Sequence, residues 1–507
     1  MTGISFVRTA MLPPAIPPVT ERGVVKWLRE NLFSGRLNSV LTVLAVVSLY
    51  YLIRGGAPWV TNGVWTGTSL RDCRAALDGA SGACWAILVE RWNQFIYGFY
   101  PNTLYWRPTT AFALLFVALA PVLYYGLRRA GTILVGAVGI LLVLSLIGLN
   151  TDAWHVLLVA AIFAGLTAVA WFAPKQLVYV TLAFPAMGFY LLWGGSFWVP
   201  VAVMIGLGLV AWLTAFALPR VGVIWTSLLA VLLFAVWFIN PVGSVLDLVG
   251  QVAGWFVSGP VHLDLGLRAM FPLQPHVSGL FGWVLPIGLE PIDSDQFGGF
   301  LLSFVIGVTA ISASLPIGIL LALGRLSDMP LIKMLCVGFI EVIRGVPLIT
   351  MLFTASLLLQ YFLPPQSNFD LILRVVILVT LFSAAYNAEV VRGGLAALPR
   401  GQYEAADALG LDYWQSQRLI IMPQALKVSI PGIVSTFIGL FKDTTLVSFV
   451  GLADPLRGIT TIVRADINWK GIYWEPYIFV GAIFFLACFG MSRYSLYLER
   501  KLKTDHR

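Results

Sequence analysis

The sequence predicts an all-α polytopic membrane protein of about twelve transmembrane helices. Three observations carry this. The 507 residues are 59% hydrophobic and only 11% charged, with a mean hydropathy of +0.87, whereas soluble domains carry about 25% charged residues. The apolar residues fall in unbroken blocks, such as Ala111 to Ala120 and Leu228 to Ile239. Those blocks do not alternate in character, which excludes a porin-like barrel and leaves the helix, the element that satisfies its own backbone groups in hydrocarbon.

Crossing a bilayer takes roughly 20 largely apolar residues. The chain supplies seven such spans near 37–54, 108–126, 131–149, 155–173, 176–195, 197–218 and 221–239. Five more follow near 297–323, 340–361, 370–388, 427–448 and 474–492, with Pro431 interrupting the fourth of these. Short turns between the second and seventh spans predict antiparallel packing. Residues 1–36 read as a cytoplasmic N-terminal tail without signal-peptide order. Residues 37–239 form a seven-helix region with an outer loop at 55–107. Residues 240–296 form an outer connecting segment containing Trp255, Phe256, Phe271, Phe281 and Trp283, rings suited to an interface or to a small cap. Residues 297–495 form the second membrane block, and 496–507 a cytoplasmic tail.

Basic residues orient the chain. With a cytoplasmic N-terminus, the interior receives Lys26, Arg29, Arg36, Arg128, Arg129, Lys175, Arg220, Arg325, Lys333, Arg392, Arg400, Arg418, Arg493, Arg500, Lys501 and Lys503. The turns near Asn150, Ser196 and Pro364 carry no Lys or Arg. The segment 449–473, with Arg457, Arg464 and Lys470, runs against the rule and is outweighed. The net charge of +8 reflects these helix-end residues and forms no nucleic-acid-binding face. The four histidines, His155, His262, His276 and His506, show no metal-ligand spacing, and no triad or paired base and nucleophile supports catalysis. Cys73 and Cys84 share the first outer loop and either bridge or remain thiols; Cys336 and Cys488 read as small apolar groups.

The informative stretch is 386–425, on the interior side and too polar for lipid. Pro399 and Arg400 precede a helix-forming run, Gly410 permits a sharp turn, Asp412 can cap a second short helix, and Pro423 ends or bends it. Two short helices hinged at a glycine make a rigid knob. Physics alone leaves a docking knob and a solvated loop equally open.

Glu404-Ala405-Ala406, Gly410 four residues later, and Ile420-Ile421-Met422-Pro423 resemble the EAA loop of ABC-type import permeases, with Met422 where that pattern has leucine. The segments Leu321 to Arg325, Glu341 to Leu348, Ala388 to Gly394 and Phe441 to Val447 are similar to permeases of the polar amino-acid uptake subfamily. This resemblance covers about 295–495. The extra N-terminal spans resemble the larger, M-type permease of a general L-amino-acid importer.

The resemblance implies a five-helix type I importer core at the C-terminus. It also implies a second permease subunit, two ATPase subunits that bind ATP and Mg, and a periplasmic amino-acid-binding protein, in a bacterial inner membrane. The chain has no nucleotide-binding loop of its own. Glu404, Ala405, Ala406, Asp407, Gly410, Arg418 and Pro423 are then the ATPase-coupling residues.

An amino acid held in a membrane needs partners for its ammonium and carboxylate. Asp443 suits the ammonium, Thr444 and Thr445 could donate to the carboxylate, and Lys442, Glu341 and Arg344 complete the candidate path. Glu341 with Arg344, and Glu389 with Arg392, sit three apart on a helical face and read foremost as internal ion pairs. Two other classes compete: a secondary transporter driven by an ion gradient, which predicts matching interrupted half-repeats, and a non-transporting scaffold whose loop only binds protein.

Overall fold

The computed structural model describes residues 23–123, 128–238, 273–358 and 370–502. Expectations for 1–22, most of the connecting segment 240–296, the turn near Pro364 and the last five residues lie outside them.

The chain divides into two compact units. The first comprises residues up to Trp92 together with Thr461–Phe479. It opens with α1 (Gly23–Asn31), inside the stretch expected to be a plain tail, and α2 (Arg36–Thr61), which carries Pro58 within its last turn. The loop expected at 55–107 is not irregular. It contains α3 (Leu70–Leu77), capped by the Ser69 hydroxyl, and α4 (Ala86–Glu90). Cys73 and Cys84 are joined by a disulfide and both are buried. The buried Trp469 belongs to the distant segment of the same unit. Cys84 N–H donates to Glu475 at 2.8 Å, Leu70 N–H to the Asn468 carbonyl at 2.8 Å, and Arg91 pairs with Asp466.

The second unit holds Asn93–Thr460 and Val480–Arg507. After α5 (Trp92–Tyr97) come α6 (Trp106–Leu123), α7 (Arg128–Gly148), α8 (Ala153–Phe172) and α9 (Leu177–Trp193). Their inward residues, among them Leu114, Val135, Leu142, Val159, Phe163 and Leu177, form one cluster, as the short turns required.

α10 (Trp198–Phe238) covers both spans expected on either side of Pro219. A straight helix would separate Ala202 and Trp237 by about 50 Å. Trp237 Nε1 instead donates to the Ala202 carbonyl at 3.1 Å. The helix therefore doubles back, and its two halves lie side by side. α11 (Leu273–Val284) packs on it, with Phe281 stacked on Trp198. β1 (Gly195–Ser196) and β2 (Gly288–Leu289) form a minimal antiparallel pair in an otherwise helical fold.

The C-terminal block begins with α12 (Gly299–Leu326). α13 (Pro330–Gly345) follows, then α14 (Leu348–Phe353). The span expected at 340–361 is therefore broken: the chain bends by 101° between Pro330–Gly345 and Leu348–Ser356. The cause is Pro347, which denies its predecessor the helical region; Val346 is extended at φ −106°, ψ 132°. α15 (Leu371–Ala396) is followed by α16 (Arg400–Ala408), α17 (Tyr413–Ser416), α18 (Met422–Asp443), α19 (Pro455–Ala465) and α20 (Trp474–Leu502). Pro431 does not interrupt its span; it sits inside α18, and the change of geometry comes at Thr444, where a 3₁₀ segment runs to Val450. Helix α20 reaches Leu502, through most of the expected tail.

Among the described residues, ten helices are long and apolar enough to cross a bilayer, or eleven if the bent pair is one span. The boundaries at 239 and 297 do not separate packing units. Tyr97, Tyr100, Ala111 and Leu192 share a buried cluster with Leu302, Ile306, Leu348 and Val375. Within the C-terminal block, small residues let helices approach closely. A Cβ on Gly318 would meet Asn387 Cβ at 2.8 Å, and one on Gly394 would meet the Ala425 carbonyl at 2.6 Å. Ser314 Oγ accepts from Ser383 Oγ at 3.2 Å and Asn387 Nδ2 at 3.1 Å, joining α12 to α15 by polar contacts in a buried seam.

Candidate functional site

The segment between α15 and α18 is a folded knob. Pro399, extended at φ −60°, ψ 138°, lies just before α16. The helix ends in a Schellman turn: Leu411 N–H bonds the Ala406 carbonyl at 3.3 Å and Gly410 N–H the Asp407 carbonyl at 2.9 Å. That turn requires a left-handed residue, and Gly410 has φ +70°. Asp412 then starts α17 with a reciprocal cap. Its Oδ1 accepts Gln415 N–H at 2.8 Å while its own N–H donates to Gln415 Oε1 at 3.2 Å.

Pro423 does not end the second helix. A π turn over Gln417–Ile421 leads directly into α18, which carries Pro423 in its first turn, where a missing N–H costs little.

Glu404, Ala405, Asp407, Gly410, Arg418 and Pro423 are exposed, whereas Ala406 is completely buried. The alanine pair is thus split between a solvent face and the root of the knob. Leu409 is 72% exposed and Leu419 64%, with Tyr413 and Trp414 both more than half exposed. These apolar side chains stand among charged residues on a surface the chain itself does not cover.

The root is firm. Gln424 Nε2 donates to Gln402 Oε1 at 2.9 Å and to the Ile420 carbonyl at 3.0 Å. Tyr403 packs against a cluster of Ala322, Ile340, Val391, Leu395, Ile421 and Ala425, drawn from α12, α13, α15 and the stretch leading into α18.

Beside this root lies a charge cluster that sequence spacing resolved only in part. Glu389 pairs with Arg392 at 3.1 Å. Glu341 does not pair with Arg344. It meets Arg325 at 2.9 Å, and Arg344 leans to Glu389 at 3.9 Å with its guanidinium over Tyr386. Spacing along one helix cannot detect Arg325, sixteen residues earlier on α12; the available signal was its place at a predicted interior helix end.

The substrate candidates fare differently. Thr444 is buried and its hydroxyl donates to the Phe441 carbonyl at 2.7 Å; the Thr445 hydroxyl donates to the Lys442 carbonyl at 2.9 Å. Each hydroxyl has one proton, so neither is left to donate to a carboxylate. Both threonines instead shape the change from α18 to the 3₁₀ segment. Phe441 is wedged against Phe304 and Phe484, which fixes the preceding turn. Lys442 is exposed and Asp443 partly so. Asp454, which the sequence did not single out, is fully buried and caps α19, accepting from Arg457 N–H at 2.9 Å and Leu456 N–H at 3.2 Å. Burial pushes its pKa up to about 6 against the pull of those two bonds and of Arg457.

Comparison with known proteins places the geometry in context. Residues 314–504 match the model of a binding-protein-dependent transport system inner membrane component. The chain is 53% identical over 512 residues, covering all of both chains, to a Rhodobacter capsulatus protein named glutamate/glutamine/aspartate/asparagine transport system permease protein BztC. It is 32% identical over 493 residues to an Escherichia coli inner membrane amino-acid ABC transporter permease protein, YhdY, covering 97% of this chain and 96% of that one. A solved structure titled as an amino acid ABC transporter with histidines is 31% identical, covers 40% of this chain and 91% of its own, and has a TM-score of 0.36.

Proposed function

Because the chain belongs to the family of binding-protein-dependent inner-membrane transport components, as the permease of an ATP-driven amino-acid importer, we propose that its knob at 400–421 is the lever through which a separate ATPase turns the spans. The protein is a multi-pass inner-membrane component and not itself an enzyme. One observation carries the coupling role: a knob stiffened by a Schellman turn and a reciprocal cap exposes Leu409, Tyr413, Trp414 and Leu419 to a partner while its buried face is rooted in four helices. Motion of a groove around it reaches α12, α13, α15 and α18 together.

Two ATPase subunits binding ATP and Mg, a second permease and a periplasmic binding protein complete the assembly in this reading. Both termini are cytoplasmic and the chain crosses twelve times, counting the bent pair and both halves of α10. The Cys73–Cys84 disulfide supports an outer, oxidising location for the segment after α2. The cargo is glutamate, glutamine, aspartate and asparagine, a reading supported by full-length similarity to the Rhodobacter capsulatus permease so named. Lys442 and Asp443 remain the substrate-path candidates.

The test is reconstitution in proteoliposomes with the ATPase and binding protein. ATP-dependent uptake of labelled glutamate, abolished by Leu409→Asp together with Trp414→Asp while the permease pair still assembles, supports the lever. Undiminished uptake in that variant, or uptake driven by an ion gradient without ATP, overturns it.

A further inference from the structure

We propose that a cavity between the extra N-terminal helices and the C-terminal block holds one acyl chain of a bilayer phospholipid with a cationic amine headgroup. The cavity has a volume of about 480 Å³ and draws its walls from four helices: Phe112 of α6, Phe189 of α9, Phe304 and Val308 of α12, and Val376 of α15. Ser294 and Asp370 also line it. These positions belong to the same end of each helix, because α6, α12 and α15 start there and α9 finishes there.

Water is a poor occupant. It needs two to four polar partners, and the few polar groups present are engaged within the chain. Trp193 Nε1 donates to Ser294 Oγ at 2.9 Å, the Thr309 hydroxyl donates to the Val305 carbonyl at 2.7 Å, and Asp370 Oδ1 accepts Leu373 N–H at 3.0 Å. An amino-acid cargo is equally unsuited, since among the described residues no cation lines the cavity to meet its carboxylate. Left empty, the walls forfeit dispersion contacts across the whole gap.

The rim points to the bilayer. Phe112, Phe189 and Leu373 are each more than two fifths exposed on spans whose surroundings are hydrocarbon. The cavity therefore opens sideways between helices, where acyl chains are the abundant apolar species. Asp370 is exposed at the start of α15, at the end of the bundle where a headgroup sits. Its carboxylate selects an ammonium over a phosphate-only or glycerol headgroup. A lipid seated here fills the seam between two parts of the chain that sequence alone treats as separate.

The test uses the full transporter complex, delipidated in detergent and analysed by native mass spectrometry with palmitoyl-oleoyl phosphatidylethanolamine or phosphatidylglycerol added back. Wild type should retain one phospholipid per copy of this chain, with phosphatidylethanolamine preferred by roughly tenfold. Val308→Trp, and independently Val376→Phe, should lose it; Asp370→Asn should retain it without the preference. A phosphatidylethanolamine carrying a photoreactive acyl chain should label peptides containing Phe112 and Phe304, a readout that does not depend on any variant folding. No retained lipid in wild type, no labelling of those peptides, equal retention in both filling variants, or a side chain of the second permease seated in the cavity overturns the proposal.

Discussion

Arg325 Nη1 lies 2.7 Å from Glu389 Oε1, fastening the end of α12 to the last third of α15. The same nitrogen reaches Glu341 on α13 at 2.9 Å, and Glu389 also receives Arg392 at 3.1 Å and Arg344 at 3.9 Å. One largely buried carboxylate thus serves three guanidinium groups from three helices. These are the helices whose apolar residues root the knob, so the charge cluster and the root should move as one body.

Glu389→Gln removes the one negative charge that, among the described residues, all three arginines share. Removing one partner of a buried pair costs about 3–5 kcal/mol because the other charge stays buried. With the Glu389 side chain 17% exposed, a loss near 3 kcal/mol is expected, read as a fall in the unfolding midpoint of the purified permease. A double-mutant cycle with Arg325→Gln should give a coupling above about 1 kcal/mol; a coupling near zero would show that the contact has no energetic role.

At Gly410 only the backbone matters, since a Cβ there meets nothing within 4 Å. Ala in a left-handed position costs roughly 1–2 kcal/mol and Asn less. Gly410→Ala should therefore lower ATP-dependent uptake severalfold with little change in unfolding midpoint, and Gly410→Asn should recover much of it. Full uptake by the alanine variant would remove the Schellman turn from the coupling mechanism.

The knob was legible in the sequence because its signals are local: a helix-breaking proline, a glycine at the turn, and Asp412 three residues before Gln415. The charge cluster was legible only in its Glu389–Arg392 pair, because Arg325 and Glu389 are brought together by the crossing of α12 and α15. The same limit applies to Thr444. Its side chain reads as a donor until the structure shows its proton committed to the Phe441 carbonyl. The helix count suffered in the other direction: Pro347 breaks a span that hydropathy reads through, while Pro431 sits in α18 without breaking it.

The Cys73–Cys84 disulfide closes a short loop, with a sequence separation of 11, and chain entropy assigns such a loop about 2–3 kcal/mol. Cys84 also donates its N–H to Glu475, so the bridge holds one end of a contact to the segment around Trp469. Cys73→Ser with Cys84→Ser should expose 461–479 to limited proteolysis and lower the unfolding midpoint, and a reductant should do the same to wild type. Unchanged cleavage would show that the segment stands without the bridge.

Asp454 gives a pH dependence with a definite sign. Its folded pKa is about 6 against an ordinary 3.8, because burial disfavours the charge more than the Arg457 and Leu456 N–H bonds favour it. Between those values the folded protein keeps the proton and the unfolded chain has lost it. Stability therefore falls as pH rises from about 4 to 6, by up to about 3 kcal/mol, and levels off above. Asn at this position still presents a capping oxygen to the first turn of α19 and carries no charge to desolvate. Asp454→Asn should thus flatten the curve of unfolding midpoint against pH between 4 and 6.5 and match or exceed wild type at pH 7. Parallel curves for the two proteins would mean that the carboxyl titrates as an ordinary exposed one and that the loop before α19 opens to water.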